Sequence, residues 1–478
     1  MSANLDPAQL DFGQLLEPVR QLIAENEKLR AENAQLRKEI EELKRKNARS
    51  AAPFSKNKHK KDPKRPGRKP GQGEFRNRTA PSEEEYSGPV EDVPVKESNC
   101  PDCGGELTDD NKEIVTNTDI PSLPKPEVKA YRIHSRTCSR CQRKVRGRHP
   151  AVAPDQFGAT AHRIGPYAQA LAATLHFEDG IPQRKVPRVL KQLTGLDVTQ
   201  SAITQAFLRT GTDDGPVARR YQQLRIEIRL QAAVNTDDTG WRIGGYLAQL
   251  MAFDSRLVTI YQIRDQHRNE EVREVIGNKY EGILGTDRGK SYDAKELRDV
   301  KQQKCLSHIF RSIDEVLEKQ PGPAQYFGVT LKSLLKEGLD LYKAFHDPEK
   351  KLPDFERQVR AIERQISYLL RNRQLRDEDN QRLLKELRRH HERGNLLRFL
   401  HEPTIIEPTN NAAERALRPA VIARKVSHCS KNKKGAEAFS AFKSVIQTIK
   451  KQGGNVVEKL ADLIRGGPPP EPEFQAAN

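Results

Sequence analysis

Two aspartates, Asp237 and Asp287, stand where carboxylates from different strands can converge. The run LQAAVNTDDTGWRIGGYLAQLMAFDSRLVTIYQI reads as three strands, Ala232 to Thr236, Tyr246 to Phe253 and Leu257 to Ile263, turning at Gly244-Gly245 and at Asp254-Ser255. Asp237 then closes the first strand, and Asp287 follows the short apolar strand in EGILGTDRGKSYDA. Carboxylates so placed suit phosphoryl transfer, in which two hard cations roughly 3.5 to 4 Å apart activate the attacking oxygen and stabilise the leaving one. Such chemistry needs a third acid. Aspartates at strand ends are common, and Asp238 or Asp293 equally suit turns.

A second set of chemically capable residues is cysteine. Cys100-Pro-Asp-Cys103 and Cys138-Ser-Arg-Cys141 are two C-x-x-C pairs, and each can present two thiolates to complete a closed, tetrahedral, structural Zn²⁺ site. The stretch between Cys103 and Cys138 exceeds the roughly 15 to 20 residues of compact fingers, so a ribbon with an inserted hairpin is expected. VKAYRIHSRT reads as a strand into the second pair, and Arg143, Lys144, Arg146 and Arg148 beside it suit phosphate. The competing reading is a pair of disulfides, which a reducing compartment disfavours. Cys305 and Cys429 stand alone and read as packed thiols.

The elements that position these residues follow from the wider pattern. The 478 residues suggest three or four modules, and Lys plus Arg at 83 against Asp plus Glu at 66 gives a net charge of +17. That balance favours a polyanion as partner, nucleic acid first and an anionic membrane surface second. No run of about 18 apolar residues exists, which excludes a bilayer-spanning role. The opening MSANLDPAQLDFGQLLEP lacks the marks of a secretory signal, so a cytoplasmic, reducing location is expected.

From Leu15, leucine recurs every seventh residue at Leu22, Leu29, Leu36 and Leu43, with Val19, Asn26, Asn33 and Ile40 at the other core position. Asn at that position favours a parallel pair, and Glu25, Glu32 and Glu39 match Arg30, Arg37 and Lys44 across the seam. Residues 15–48 thus predict a leucine-zipper coiled coil and a homodimer or higher oligomer, with Pro18 in the first turn; a lone amphipathic helix is the alternative. Residues 49–90 read as a flexible basic linker whose Arg65, Arg68 and Lys69 suit a minor groove, or as a plain solvated linker. Residues 91–150 form the zinc-binding module.

Residues 160–228 read as helical. A helix ending near Thr194, a turn at Gly195-Leu196-Asp197 and a second helix capped by Thr199, with Ala202, Ile203, Ala206 and Phe207 inward, fit a helix-turn-helix or a plain helical hairpin. In the first case Gln200, Ser201, Thr204 and Gln205 would meet DNA bases. Three antiparallel strands, a helix and then strands alternating with helices give residues 229–460 the order of a ribonuclease-H-like α/β domain. A helical, basic insertion at about 322–400 interrupts it, and 465–478 reads as a disordered tail. The fold class expected is therefore multidomain α+β.

The runs D-D-T-G-W, T-D-R-x-x-x-Y, C-x-x-H-x-x-R and P-T-N-N-A-A-E-R-A-L-R-P together resemble the DDE transposases of bacterial insertion sequences, in the family numbered sixty-six. The resemblance covers most of the chain, including the N-terminal helix, basic linker, four-cysteine segment and helix-turn-helix. It implies a catalytic triad of Asp237, Asp287 and Glu414 binding two Mg²⁺ (or Mn²⁺) ions, with Arg415 and Arg418 on the helix of Glu414 facing DNA phosphates or supporting the site. The family often has D-E-T-G-W where this chain has Asp237-Asp238-Thr239, which makes Asp238 the rival of Asp237. His308 and Arg311, one helical turn apart, are candidates for active-site support, a structural His being the alternative. The resemblance further implies double-stranded DNA as partner, both terminal inverted repeats and target. It also implies strand cleavage followed by strand transfer, accessory proteins from the same element, and a bacterial, nucleoid-associated location. The alternatives are a DNA-binding regulator with a vestigial catalytic domain and a structure-selective nuclease on the same fold.

Overall fold

The computed structural model describes residues 12–47 and 81–466, apart from 97, 109–113, 117, 119–124, 150, 154, 320–321, 351 and 428. The basic residues Arg65, Arg68 and Lys69 and the tail at 467–478 lie outside the described residues. Two units divide the chain: Ser55–Glu127 with Leu193–Gly195, and the remainder.

In the smaller unit, Ser82 opens a single 3-10 turn at Glu83–Glu85, its N–H donating to the Glu85 carboxylate at 2.7 Å. Asn99 and Glu106 form an antiparallel bridge around the first cysteine pair. Gly104 closes that turn at φ +72°, a conformation open to glycine without strain.

The larger unit is mixed α+β. Helix α1 spans Phe12–Asn47, and Leu22, Leu29, Leu36 and Ile40 lie exposed along it. Because α1 begins at Phe12, Pro18 falls in its second turn and not in the first. A short hairpin, β1 (Ser135–Thr137) and β2 (Lys144–Arg146), carries the second cysteine pair at its tip. Four helices follow: α2 (Pro166–Ala173), α3 (Val186–Thr194), α4 (Gln200–Gly211) and α5 (Pro216–Glu227). As the sequence predicts, Thr199 caps α4 by accepting from the Ala202 N–H, and Ile203, Ala206 and Phe207 are buried. Ala202 itself is exposed, because it falls on the side of the first turn that faces away from the core.

A five-stranded sheet follows, formed by β3 (Ala233–Ile243), β4 (Tyr246–Asp254), β5 (Thr259–Arg264), β6 (Ile283–Thr286) and β7 (Lys301–Lys304) in the order β5-β4-β3-β6-β7. The first three pair antiparallel, while β3–β6 and β6–β7 pair parallel. Helix α6 (Asn269–Ile276) makes the crossover between β5 and β6. β3 outruns the expected strand: it pairs with β6 only over Ala233 to Asn235, then continues beside β4 to the turn at Gly244. Gly244 there has φ +62°.

After β7 come α7 (Leu306–Lys319), α8 (Gln325–Phe345), α9 (Phe355–Leu369), α10 (Glu378–Glu392) and α11 (Arg398–His401). Last are α12 (Asn411–Ser427), α13 (Lys433–Lys451) and α14 (Val456–Arg465). Both sheet faces are covered, as alternation along β6 shows: Ile283 joins the apolar cluster of α7 to α11, and Leu284 joins the cluster that includes α2 to α5 and α13. Helix α13 shields the edge strand, with Ser444 and Thr448 hydroxyls accepting from the outward N–H groups of Tyr261 (2.8 Å) and Thr259 (3.2 Å). Residues 160–228 therefore share one core with the sheet. Among the described residues, no helix is long and apolar enough to cross a membrane.

Candidate active site

The parallel part of the sheet sets the site. Asp237 lies two residues beyond the last β3–β6 pair, and Asp287 directly follows β6, so both leave the same end of two adjacent parallel strands. Asp237 is mid-strand and not terminal, since β3 runs on as a hairpin arm; only its pairing with β6 has ended. Alternation puts Asn235 and Asp237 on one face of β3 and Thr236 and Asp238 on the other. Gly285 of β6 lies beneath Asn235, and a Cβ there would come 2.1 Å from the Asn235 amide oxygen.

That facing separates the two neighbouring aspartates. Asp238 is engaged by His267, Nδ1 to Oδ1 at 2.9 Å, while His267 stacks edge-on to Tyr292, whose hydroxyl lies 3.3 Å from that of Thr236. Burial works against charge on His267, but the Asp238 bond and the charges of Asp238 and Asp287 outweigh it and raise its pKa. Among the described residues, no cation pairs with Asp237. Its carboxyl is pushed up to about 6, first by burial and then by the like charges of Asp238, Asp287 and Glu414. Asp287 accepts from the Gly289 N–H at 2.7 Å, and a Cβ on Gly289 would crowd that oxygen at 2.9 Å.

Glu414 sits exposed in the first turn of α12, and one hydrogen-bonded chain ties that turn to both aspartates. Asn410, just before the helix, donates its amide to the Thr236 carbonyl at 2.7 Å and its backbone N–H to the Cys305 sulfur at 3.2 Å. The Cys305 N–H in turn donates to the Thr286 carbonyl at 2.8 Å. Thr236 and Thr286 are the residues before Asp237 and Asp287. Cys305 is thus a fastener as well as a packed thiol: burial opposes its ionisation, yet bonds from His308 and Asn410 bring its pKa below the ordinary thiol value. His308 is raised in pKa by the same thiol, and its Nδ1 is buried without a partner; Arg311, a turn away, is exposed. Asp293 is no free turn residue either. It pairs with fully buried Lys304 (3.1 Å) and with Arg389 of α10 (2.6 Å), and Lys304 also reaches the Thr286 hydroxyl at 3.2 Å.

Asn235, His267, Cys305 and Asn410 escaped sequence reasoning. Asn410 and Cys305 had a signal, their places in the T-N-N-A-A-E and C-x-x-H-x-x-R runs. On α12, Arg415 and Arg418 are exposed on the side of Glu414. On α4, Gln200, Ser201 and Gln205 are exposed, whereas the Thr204 hydroxyl is engaged by Gln183 at 2.8 Å and by the Gln200 carbonyl at 2.8 Å.

Each cysteine pair is a tight turn in its own unit. Cys100 N–H donates to Gly105 O and accepts Gly104 N–H at its carbonyl; Cys138 does the same with Arg143 and Gln142, and Gln142 takes φ 57°. Backbone N–H groups of Cys103 and Asp102 lower the Cys100 pKa, and those of Cys141 and Arg140 lower that of Cys138. Among the described residues, no group of three or more His, Cys, Asp or Glu side chains is gathered closely enough to hold a metal ion. The donors nevertheless suit cations by type. Asp237, Asp287 and Glu414 are hard oxygen ligands whose charges disfavour one another, and the amide oxygens of Asn235 and Asn410 are buried without a hydrogen-bond partner.

The sequence model of the transposase IS66 family matches residues 162–438, more than half of the chain. The chain belongs to the IS66 transposase family. No curated protein matches it. Among solved structures, a simian T-cell lymphotropic virus intasome bound to a regulatory subunit of PP2A is 13% identical, covering 45% of this chain and 74% of that one at a TM-score of 0.15. The catalytic domain of Mos1 mariner transposase is 12% identical, covering 38% of this chain and 92% of that one at a TM-score of 0.13. The IS66 match takes in Asp237, Asp287 and Glu414 together with α2 to α5, and leaves α1 and both cysteine pairs outside it.

Proposed function

We propose that this IS66 family member binds the terminal inverted repeats of its insertion sequence and cuts and joins DNA strands through Asp237, Asp287 and Glu414. The observation that carries the reading is the pKa of Asp237, raised to about 6 by burial and by the charges of three neighbouring carboxylates drawn from β3, the end of β6 and α12. Gathering like charges costs stability, and a site that binds cations is the straightforward reason to keep them together. The strand order β5-β4-β3-β6-β7, antiparallel then parallel, supports the ribonuclease-H-like reading of the sheet.

Asp237, Asp287 and Glu414 would hold two Mg²⁺ or Mn²⁺ ions, which when bound supply charge neutralisation at the reacting phosphate. Water attacks the phosphodiester at the element's end, the P–O bond to the 3′ oxygen breaks, and a free 3′-hydroxyl remains. That hydroxyl then attacks a target phosphodiester in line and displaces the target's own 3′ oxygen, with no covalent bond to the protein. The carboxylates act as ligands and not as nucleophiles. Arg415 and Arg418 meet phosphates beside Glu414, while His308 supports the site by holding Cys305. Gln200, Ser201 and Gln205 read the ends, and Thr204 positions Gln183. Residues 15–48 pair two copies so that two ends can be brought together, and the lowered thiol pKa values of Cys100 and Cys138 suit thiolate ligation of structural Zn²⁺.

The test incubates purified protein and Mg²⁺ with labelled duplex carrying the DNA that flanks its gene, beside Glu414→Gln. Nicks at one defined boundary, absent with the variant, are expected. DNA retained but uncut by both proteins, with the neighbouring gene products added, would identify a regulator instead. Nicks scattered without regard to sequence would identify a nuclease.

A further inference from the structure

Helix α9 lies in the helical segment between β7 and α12, and its two sides differ sharply. Val359, Ile362, Ile366 and Leu369 are buried against the cluster formed with α8 and α10. At about 100° per residue, Arg357, Arg360, Arg364 and Tyr368 fall within roughly a quarter of the circumference on the opposite side; these four, and Arg371 just past the helix end, are exposed. Arg357 and Arg360 have only solvent-exposed partners on the same element, Asp354 at 4.0 Å and Glu356 at 3.3 Å, which hold them weakly. At the end of the row Tyr368 is 68% exposed, with the Arg371 guanidinium 3.9 Å from its ring centre and bonded to its carbonyl at 2.9 Å.

We propose that this face of α9 tracks a DNA strand and that Tyr368, backed by Arg371, stacks an unpaired base of it. The inference rests on the transposase reading for its partner class. Arg357, Arg360 and Arg364 are spaced about 4.5 to 6 Å along the helix axis, which lets successive guanidinium groups meet successive phosphates of one strand. Arg357, Arg360, Arg364 and Arg371 outnumber the two carboxylates paired with them, Asp354 and Glu356, and give the face its sign. Tyr368 is an isolated aromatic ring flanked by exposed Gln365, Ser367 and Asn372, so an apolar protein interface does not fit. A flat ring beside a cationic track is instead the arrangement that binds single strands, where each base offers its face for stacking.

The experiment measures binding of full-length protein, without divalent metal, to a labelled duplex with a short 3′ overhang, to the same duplex blunt-ended, and to the duplex with an RNA overhang. Tyr368→Ala should weaken overhang binding about ten-fold, leave the blunt duplex within about two-fold, and be rescued by Tyr368→Phe. Arg360→Ala with Arg364→Ala should weaken both DNA probes and lower the slope of log K against log salt by about 1.5. Both substitutions lie on the solvent side, and unchanged thermal melting confirms the fold. Equal overhang binding by Tyr368→Ala, or equal loss on both DNA probes, overturns the stacking role, and preference for the RNA overhang overturns the assignment to DNA. Because cleavage is not read, failure here is distinct from failure of the catalytic reading, which Glu414→Gln tests.

Discussion

Acidifying the protein from pH 7 to pH 5 should weaken its affinity for divalent cations about ten-fold, well before ordinary aspartates titrate. Asp237, pushed up from 3.8 to about 6, carries a penalty on its ionised form of about 3 kcal/mol. Burial is the largest cause, and the charges of Asp238, Asp287 and Glu414 add to it. With a midpoint near 6, roughly nine-tenths of the molecules carry the anion at pH 7 and about one-tenth at pH 5. Cation binding requires the anion, so affinity should be full above pH 7 and fall about ten-fold per unit once the pH drops below 6. Mn²⁺ titration by calorimetry at half-unit intervals reads this directly. In metal-free protein, with the Asp237 carboxyl titration read by NMR, Asp287→Asn removes one like charge and should move the midpoint down, though not to 3.8, because burial remains. Equal Mn²⁺ affinity at pH 5 and pH 7, or a midpoint in Asp287→Asn at or above that of the parent, would refute the argument that crowding of buried carboxylates prepares the site.

Asn410→Ala leaves the buried Thr236 carbonyl without its donor and should lower stability by about 1 to 3 kcal/mol in urea unfolding. It should also slow strand cleavage, since the same side chain registers the start of α12 against β3. Lys443 is fully buried in α13 and bonds the Phe177 carbonyl at 2.7 Å and Glu178 at 3.3 Å. Lys443→Met should cost about 3 to 5 kcal/mol by urea unfolding, and Glu178→Gln added to it should recover part of that loss. Deleting residues 1–50 should convert a dimer to a monomer by light scattering while leaving the far-UV signal of the sheet and remaining helices. An unchanged mass would overturn the zipper.

Local pattern made much of this protein legible. Alternation in VNTDDTGW and YLAQLMAF, turn residues at Gly244-Gly245 and Asp254-Ser255 and an apolar run before Asp287 are properties of neighbouring residues, and they sufficed for the strands and their succession. The motif runs sufficed for the IS66 family, because their spacing survives without knowledge of the fold. The strand bounds were less exact: β3 continues past Thr236 because β4 pairs with it, and pairing is not a property of the strand alone.

The tertiary structure decided which groups meet. Nothing near Asp238 in sequence announces that His267, from the loop after β5, engages it, yet that contact and the pleat of β3 separate it from Asp237. Asn410 and Cys305 lie in motif runs that mark the family, but nothing in those runs says that they join β3, β6 and α12. Composition showed the helical segment to be basic, but only burial of Val359, Ile362, Ile366 and Leu369 fixes which side of α9 carries its arginines to solvent. The physical reason is common to all three: periodicity encodes which face of an element is buried, whereas the partner across the core is chosen by packing between segments far apart in the chain.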